Sequence, residues 1–281
     1  MVYRLLGENG CVVSVIGYGG WALGEEGWPD VKTTLALRSL EEAFELGITL
    51  YDTAPFYGRG LSEERIGMVL SSVRKQVVIA TKCGIQWDDS RVWLSLARDD
   101  ILREVEGSLR RLRTDYIDLY QVHWYDQKTS LLEVCRTLQE LQRQRVIRHI
   151  GVCNFPVGLL AKAVQWMDVV SVQAEYNLVN RKAEEEILPF CQKKHIGFLA
   201  YSPLAQGFLA GRAFDPRSRV KDVRKHNFLY KSGQWREITE RKEDAFRFLL
   251  REDGVTAFLV SMTRPSHVRE NVEIVEAFFS S

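Results

Sequence analysis

Short apolar runs and amphipathic stretches take turns along this chain. Runs rich in Val, Ile and Tyr fall at 12–16, 48–52, 77–81, 116–122, 147–152, 169–173, 197–201 and 256–260. Most lack strict apolar–polar alternation, which is the pattern of parallel strands buried on both faces. Between them, apolar positions recur at helical spacing. Ile101, Leu102, Val105, Leu109 and Leu112 form one face of 98–113, and Leu131, Leu132, Cys135, Leu138 and Leu141 form one face of 131–146. Further helices are predicted over 35–46, 62–72, 156–166, 183–194, 239–252 and 265–279. Ser62 ahead of Glu63 and Glu64, and Pro265, mark helix starts.

Eight such pairs in alternation suit an open doubly wound sheet or a closed (β/α)8 barrel. Complete units running almost to the C-terminus favour the closed TIM barrel. No linker, low-complexity tract or composition shift divides residues 1–281, so a single α/β domain is expected. The one long irregular stretch, 202–236, has a length that in compact domains usually signals function or mobility.

Composition narrows the function classes. The 281 residues are 46% hydrophobic, enough for a sizeable core. With 38 Lys and Arg against 37 Asp and Glu the net charge is +1, which suggests neither a nucleic-acid nor a membrane partner. Cys11, Cys83, Cys135, Cys153 and Cys191 are scattered without a C-x-x-C pair. That points to free thiols in a reducing cytoplasm and to no metal site. Met1 to Gly10 lacks an apolar core segment, so no signal peptide is predicted, and no run approaches the roughly 18 apolar residues of a membrane span. Near-neutral charge and no evident zipper make a monomer the default.

Gly17-Tyr18-Gly19-Gly20-Trp21-Ala22 reads as a variant dinucleotide fingerprint after a strand. Its context is wrong. Gly24, Gly27 and Pro29 follow where a helix should open, Glu41 and Glu42 fall inside a helix, and Asp52 comes too late for the ribose acid. A glycine-rich loop that lets backbone approach a ligand is the plainer reading.

The chemistry gathers at strand ends. Asp52 closes one strand and Tyr57 lies five residues on, in the loop Thr53-Ala54-Pro55-Phe56-Tyr57-Gly58; Lys82 ends the next strand and His123 the one after. In a barrel these ends converge on one mouth. Singly each has an ordinary role: a loop cap, a packed aromatic, a solvated lysine, a core histidine. Together on one rim, a carboxylate, a phenol, an ammonium and an imidazole suit carbonyl reduction. A phenol titrates near pH 10, so Lys82 is expected to lower its pKa, Asp52 to hold Lys82, and His123 to orient the carbonyl oxygen. A Schiff-base lyase using Lys82 is a competing reading that Asp52 argues against.

At these residues the chain resembles the aldo-keto reductase family, from the Gly19-Gly20-Trp21 loop to Glu270-Asn271. The resemblance implies a TIM barrel of NADPH-dependent carbonyl reductases with Asp52, Tyr57, Lys82 and His123 as catalytic tetrad. It implies that Asn154 and Gln173 hold the nicotinamide amide, that Tyr201 stacks on the ring, and that Ser202, Leu204 and Gly207 cradle the pyrophosphate. Gly20 belongs to the same cofactor cleft. Ser261, Arg264, His267, Glu270 and Asn271 fall on the adenosine-phosphate loop and helix start. Three residues depart from the family's common choices: Cys153 replaces a serine, and Ser261 and His267 replace basic residues. Arg264 is left as the candidate for the 2′-phosphate, with Arg269 a weaker one. NADP(H) is therefore the expected cofactor, with NAD(H) possible.

Trp21 and Trp124 map to the substrate wall, with Trp28, Phe56, Trp87 and Tyr125 nearby on the rim. Apolar or aromatic carbonyl compounds fit such a wall. With the sequence ending at Ser281 straight after the last helix, an open, permissive pocket is expected. Relatives carry a longer helical stretch before the eighth strand. The basic loop 202–236, with Arg212, Arg217, Arg219, Lys221, Arg224, Lys225, Lys231 and Arg236, is either a solvated surface or a clasp over the cofactor phosphates. An alternative function is a cofactor-binding regulatory barrel with slow turnover, resembling potassium-channel β-subunits.

Overall fold

The computed structural model describes residues 1–28, 31–211, 221–234, 238 and 240–280. The chain opens with an antiparallel hairpin, β1 (Tyr3–Leu5) and β2 (Val12–Ser14). Then come β3 (Ile16–Gly19), α1 (Thr33–Glu45), β4 (Leu50–Asp52), α2 (Leu61–Leu70) and β5 (Val78–Cys83). A second antiparallel hairpin, β6 (Ile85–Trp87) and β7 (Val92–Leu94), precedes α3 (Arg98–Leu112). The chain continues through β8 (Ile117–Val122), α4 (Leu131–Arg143), β9 (Ile147–Cys153), α5 (Val157–Ala163), β10 (Val169–Glu175), α6 (Ile187–Lys193) and β11 (Gly197–Tyr201). It ends with α7 (Phe228–Ser232), α8 (Lys242–Arg251), β12 (Ala257–Val260) and α9 (Pro265–Ser280). Strands β3, β4, β5, β8, β9, β10, β11 and β12 pair in that order, all parallel, and β12 returns to β3 to close the barrel. This is the single-domain TIM barrel that the alternation predicted.

Three local expectations change. The predicted first strand, 12–16, straddles two elements: Val12–Ser14 pairs with Tyr3–Leu5, and the barrel strand begins at Ile16. Ser14 makes the break, since its Oγ donates to Ile16 O at 2.7 Å and accepts from Thr49 N at 3.0 Å. Gly17 and Gly19 hid the true strand, because glycine is a poor strand signal; at Gly17 a Cβ would lie 2.7 Å from Leu259. Ser62 is not the cap of α2, whose N-cap is Gly60 in left-handed conformation. Its hydroxyl instead donates to Gly20 O at 2.8 Å and accepts from Thr53. The predicted helix 183–194 resolves into a 3-10 turn, Lys182–Glu184, and α6.

The barrel's floor explains its mouth. Leu50, Ala80, Leu119, Leu199 and Ala257 pack together inside the barrel, with Leu6 and Val13 of the first hairpin plugging the bottom. Residues two apart on a strand face the same way. One step up, the same strands therefore present Asp52, Lys82, Gln121, Tyr201 and Leu259. An apolar floor and a mouth that is polar except at Leu259 are successive layers of one interior. No helix among the described residues is long and apolar enough to cross a membrane.

Candidate active site

Lys82 is fully buried and Asp52 is 3% exposed. The ammonium donates to Asp52 Oδ1 at 2.6 Å, to Thr53 O at 2.9 Å and to Tyr57 Oη at 3.3 Å. The second carboxylate oxygen accepts from Gln121 Nε2 at 3.0 Å and Gln173 Nε2 at 2.8 Å. Each buried charge thus has hydrogen-bond partners besides its counter-ion, the condition for holding an ion pair in a dry interior. The His123 ring meets the Tyr57 ring edge to face, 5.9 Å between centroids. The four residues expected to meet at the mouth do meet there.

Tyr57 is held by its loop. A Cβ on Gly24 would lie 2.5 Å from Gly58 N and 2.5 Å from Tyr57 C, so the β3 and β4 loops touch backbone to backbone. Buried Arg65 on α2 clamps the β3 side, donating to Leu23 O and to Glu25. Trp21, on that loop, stacks over Tyr57 at 6.2 Å and 29°.

Burial sets the protonation states. It pushes the Tyr57 phenol up to about 12; Lys82 pulls the other way, and Asp52 and Cys153 push with it. The downward pull expected from Lys82 is present, but desolvation outweighs it. Burial works against the Lys82 ammonium, yet Asp52, with Tyr57 and Cys153, raises it overall. A lysine held charged in this way is no amine nucleophile, which removes the chemical basis for a Schiff-base role. Burial and the charge of Lys82 drive His123 well below its usual value, so the imidazole is neutral at pH 7.

A cleft of about 470 Å³ runs from this cluster across the barrel mouth. Near Tyr57 it is lined by Trp21, Trp28, Phe56, His123 and Trp124. Asn154, Gln173 and Tyr201 follow, then Ser202, Leu204 and Gly207 after β11, and Gly20, Ser261, His267, Glu270 and Asn271 around β12 and α9. The Tyr201 hydroxyl donates to Asn154 Oδ1 at 3.1 Å, and Asn154 donates to His123 O at 3.2 Å. Lys82 lies behind the wall, and Arg264 is exposed outside it. Arg269 pairs with Glu42 at 2.7 Å. Tyr125 turns away from the cleft, its ring against Phe155.

Sequence reasoning missed Gln121, Gln206, Glu240 and Lys242. Gln121 sits two residues before His123 on a strand already assigned, so strand period could have found it. Glu240 lies just before α8 and Lys242 opens it, where nothing in the sequence announces a cleft wall. Cys153 is buried rather than facing the cleft, and its thiol donates to Gln121 Oε1 at 3.7 Å. Of the basic loop, residues 212–220, 235 and 236 lie outside the described residues, and with them Arg212, Arg217, Arg219 and Arg236. Arg224 pairs with Asp222 at 2.6 Å, and Val223 N donates to Gly27 O at 3.1 Å, tying this segment to the β3 loop.

A nicotinamide dinucleotide suits the residues present. Two polar atoms in the cleft lining, Trp28 Nε1 and Gln206 Oε1, are buried without a protein partner among the described residues. Such atoms call for a polar ligand or water. Ser202, Ala205, Gln206 and Gly207 all have positive φ, and the compact turn they make is closed by Ala205 N donating to Ser202 O and Gly207 N to Leu204 O, both at 2.9 Å.

Comparison with known proteins shows what the chain as a whole is similar to. The family model described as "Aldo/keto reductase family" matches residues 15–281. The chain is 35% identical over 240 residues to the aldo-keto reductase YhdN of Bacillus subtilis (strain 168), covering 84% of this chain and 72% of that protein. It is 33% identical over 299 residues to the NADH-specific methylglyoxal reductase of Escherichia coli (strain K12), covering 95% and 91%. Among solved structures, the holo form of an aldo-keto reductase from Bacillus halodurans superposes with a TM-score of 0.82 at 28% identity, covering 98% and 91%.

Proposed function

The chain belongs to the aldo/keto reductase family and is an oxidoreductase, and on that footing we propose that it reduces aldehydes and ketones to alcohols with a reduced nicotinamide dinucleotide, Tyr57 giving the proton. When bound, the dinucleotide supplies the hydride. Asn154, Gln173 and Tyr201 would hold its nicotinamide, Ser202, Leu204 and Gly207 its pyrophosphate, and Gly20, Ser261, His267, Glu270 and Asn271 the rest.

The chain's own residues manage the oxygen. A carbonyl oxygen becomes steadily more basic as its carbon is reduced. A phenol held up to about 12 keeps its proton at neutral pH and yields it to that stronger base. The Lys82 ammonium, 3.3 Å from the phenol oxygen, stabilises the phenolate as it forms. Asp52 fixes Lys82, and Gln121 and Gln173 fix Asp52. His123, being neutral, offers one N–H to the same oxygen; such oriented donors are typically worth a hundredfold to a thousandfold in rate, roughly. Trp21 and Trp124 would wall a small carbonyl substrate, and Trp124 is 44% exposed, which leaves the entrance open. All five cysteines are free thiols, in keeping with a reducing cytoplasm.

The observation that carries this reading is the buried Lys82–Asp52 pair in hydrogen-bond contact with the Tyr57 phenol. A steady-state assay of reduced-dinucleotide oxidation with 4-nitrobenzaldehyde tests it. Sustained turnover is expected. Tight dinucleotide binding with negligible turnover would favour a regulatory barrel instead.

The cofactor's phosphate is a finer question. Preference for NADP(H) rests on Arg264, which stands outside the cleft lining, whereas the E. coli relative is by its name NADH-specific.

A further inference from the structure

Gln121 is a polar side chain where an apolar one would pack. It is fully buried on β8 and is not among the described residues that line the cleft. Leu119, two residues earlier on the same face, belongs to the apolar floor. An amide taken out of water costs free energy unless its polar atoms are paired. Here both ends are paired. Nε2 donates to Asp52 Oδ2 at 3.0 Å, and Oε1 accepts from Gln173 Nε2 at 3.3 Å and from the Cys153 thiol at 3.7 Å. Gly151, the register partner of Gln121 on β9, leaves the room: a Cβ there would lie 3.0 Å from Gln121 Cγ.

The surroundings permit one orientation of this amide. Burial keeps the Cys153 thiol protonated, so it stays a donor, and Gln173 brings a second N–H. Turning the amide over would set its N–H groups against these two donors and its carbonyl oxygen against the Asp52 carboxylate. The orientation held gives Asp52 Oδ2 two N–H partners and leaves Oδ1 to Lys82 at 2.6 Å. Asp52 and Lys82 act on the Tyr57 phenol in opposite directions. N–H groups aimed at the carboxylate stabilise its charge and oppose its field. More of the attraction from Lys82, which pairs in register with Gln121, is then left for the phenolate.

We propose that Cys153 and Gln121 form a positioning pair for proton transfer: the thiol sets which end of the amide faces Asp52, and the amide keeps Asp52 and Lys82 in the arrangement that favours the Tyr57 phenolate. The proposal rests on the reductase reading above and concerns two side chains that touch none of the reacting atoms.

The test is the single-turnover rate of 4-nitrobenzaldehyde reduction by the dinucleotide-loaded protein, measured against pH, because single turnovers separate chemistry from release. Gln121→Met should lower that rate about tenfold, the weight of one hydrogen bond to a charged group, with substrate affinity unchanged. Cys153→Ala should lower it by a smaller factor, since a thiol is a weak donor. Adding Cys153→Ala to Gln121→Met should cost little more, because the thiol acts only through the amide. Gln121→Glu supplies a signature that packing alone would not. Two carboxyls in contact share a proton, and one of them titrates far above its usual value. While that proton is held, the new carboxyl donates to Asp52 as the amide does, and the rate should stay near that of the unaltered protein. As pH rises and the proton leaves, the rate should fall through an inflection that the unaltered protein lacks. A Gln121→Met protein that reacts at full rate and only melts at a lower temperature overturns the inference. So does an additive loss in the double variant, or a Gln121→Glu profile without the inflection; each leaves the reductase reading standing. Where Gln121→Glu does not fold, the methionine and double variants decide. No turnover by the unaltered protein overturns both.

Discussion

The two ends of this cleft hold one ion pair each, and the pairs are built differently. Lys82–Asp52 lies inside the barrel with side chains 1% and 5% exposed; Lys242–Glu270 bridges two helices with side chains 12% and 56% exposed. The first is dry and saturated with hydrogen bonds. The second touches water, where charge attraction is screened and net stabilisation is small. The difference separates two jobs. Proton transfer needs groups that cannot relax, so the pair that steadies the Tyr57 phenol is built from strand residues locked by the barrel's register. The outer pair has the lighter job of tying α8 to α9 beside the cleft, which side chains can do without being locked in place.

Breaking the inner pair should give the largest effect. Lys82→Met leaves Asp52 buried without its counter-ion, which typically destabilises by about 3–5 kcal/mol. Urea unfolding should show that loss, and reduction should fall by roughly 10²–10⁴, the usual weight of assisted acid catalysis. Lys242→Met, by contrast, should cost less than about 1 kcal/mol, as partly exposed pairs do. Equal losses at the two sites would erase the distinction.

Gly24→Ala comes next. The new methyl must push the β3 and β4 loops apart, at a cost of about 1–3 kcal/mol for an overpacked contact. Because the phenol rides on one of those loops, kcat should drop while the dissociation constant for dinucleotide stays put. A change confined to dinucleotide affinity would place Tyr57 beyond this contact's influence.

The smallest effect is expected at Arg264→Ala. Sequence reasoning assigns it the 2′-phosphate, which predicts a loss for NADPH far larger than for NADH. Its exposed position outside the lining predicts a change below about 1 kcal/mol for either. A loss specific to NADPH would restore Arg264 as the phosphate reader.

The same division governs what could be read in advance. The barrel was legible because buried parallel strands and amphipathic helices leave periodic apolar patterns. Asp52, Lys82 and His123 were legible because they end such strands, and Tyr57 because it lies in the loop just after one. Gln121 could have been found by strand period. The first barrel strand was misplaced because its glycines carry no hydrophobic signal, and the β6–β7 hairpin went unseen although Asp88 caps its turn through Ser90 and Arg91. Glu240 and Lys242 left no trace, because loop and helix-start residues meet a cleft only through tertiary packing. The net pKa of Tyr57 was equally hidden: its charged neighbours can be named from sequence, but the desolvation that outweighs Lys82 comes from burial alone.

The central claim is that the Tyr57 phenol carries the proton. The most direct test is the pH dependence of alcohol oxidation, the reverse reaction, in the unaltered protein and in Tyr57→Phe. Oxidation needs the phenolate as base, and a phenol pushed up to about 12 supplies more of it as pH rises. The rate should therefore climb through the alkaline range, with no inflection near pH 6.5 because His123 stays neutral. In Tyr57→Phe the climb should vanish and the rate fall by at least about a hundredfold, with dinucleotide binding retained. A phenylalanine variant that keeps both the rate and its alkaline rise would contradict the account.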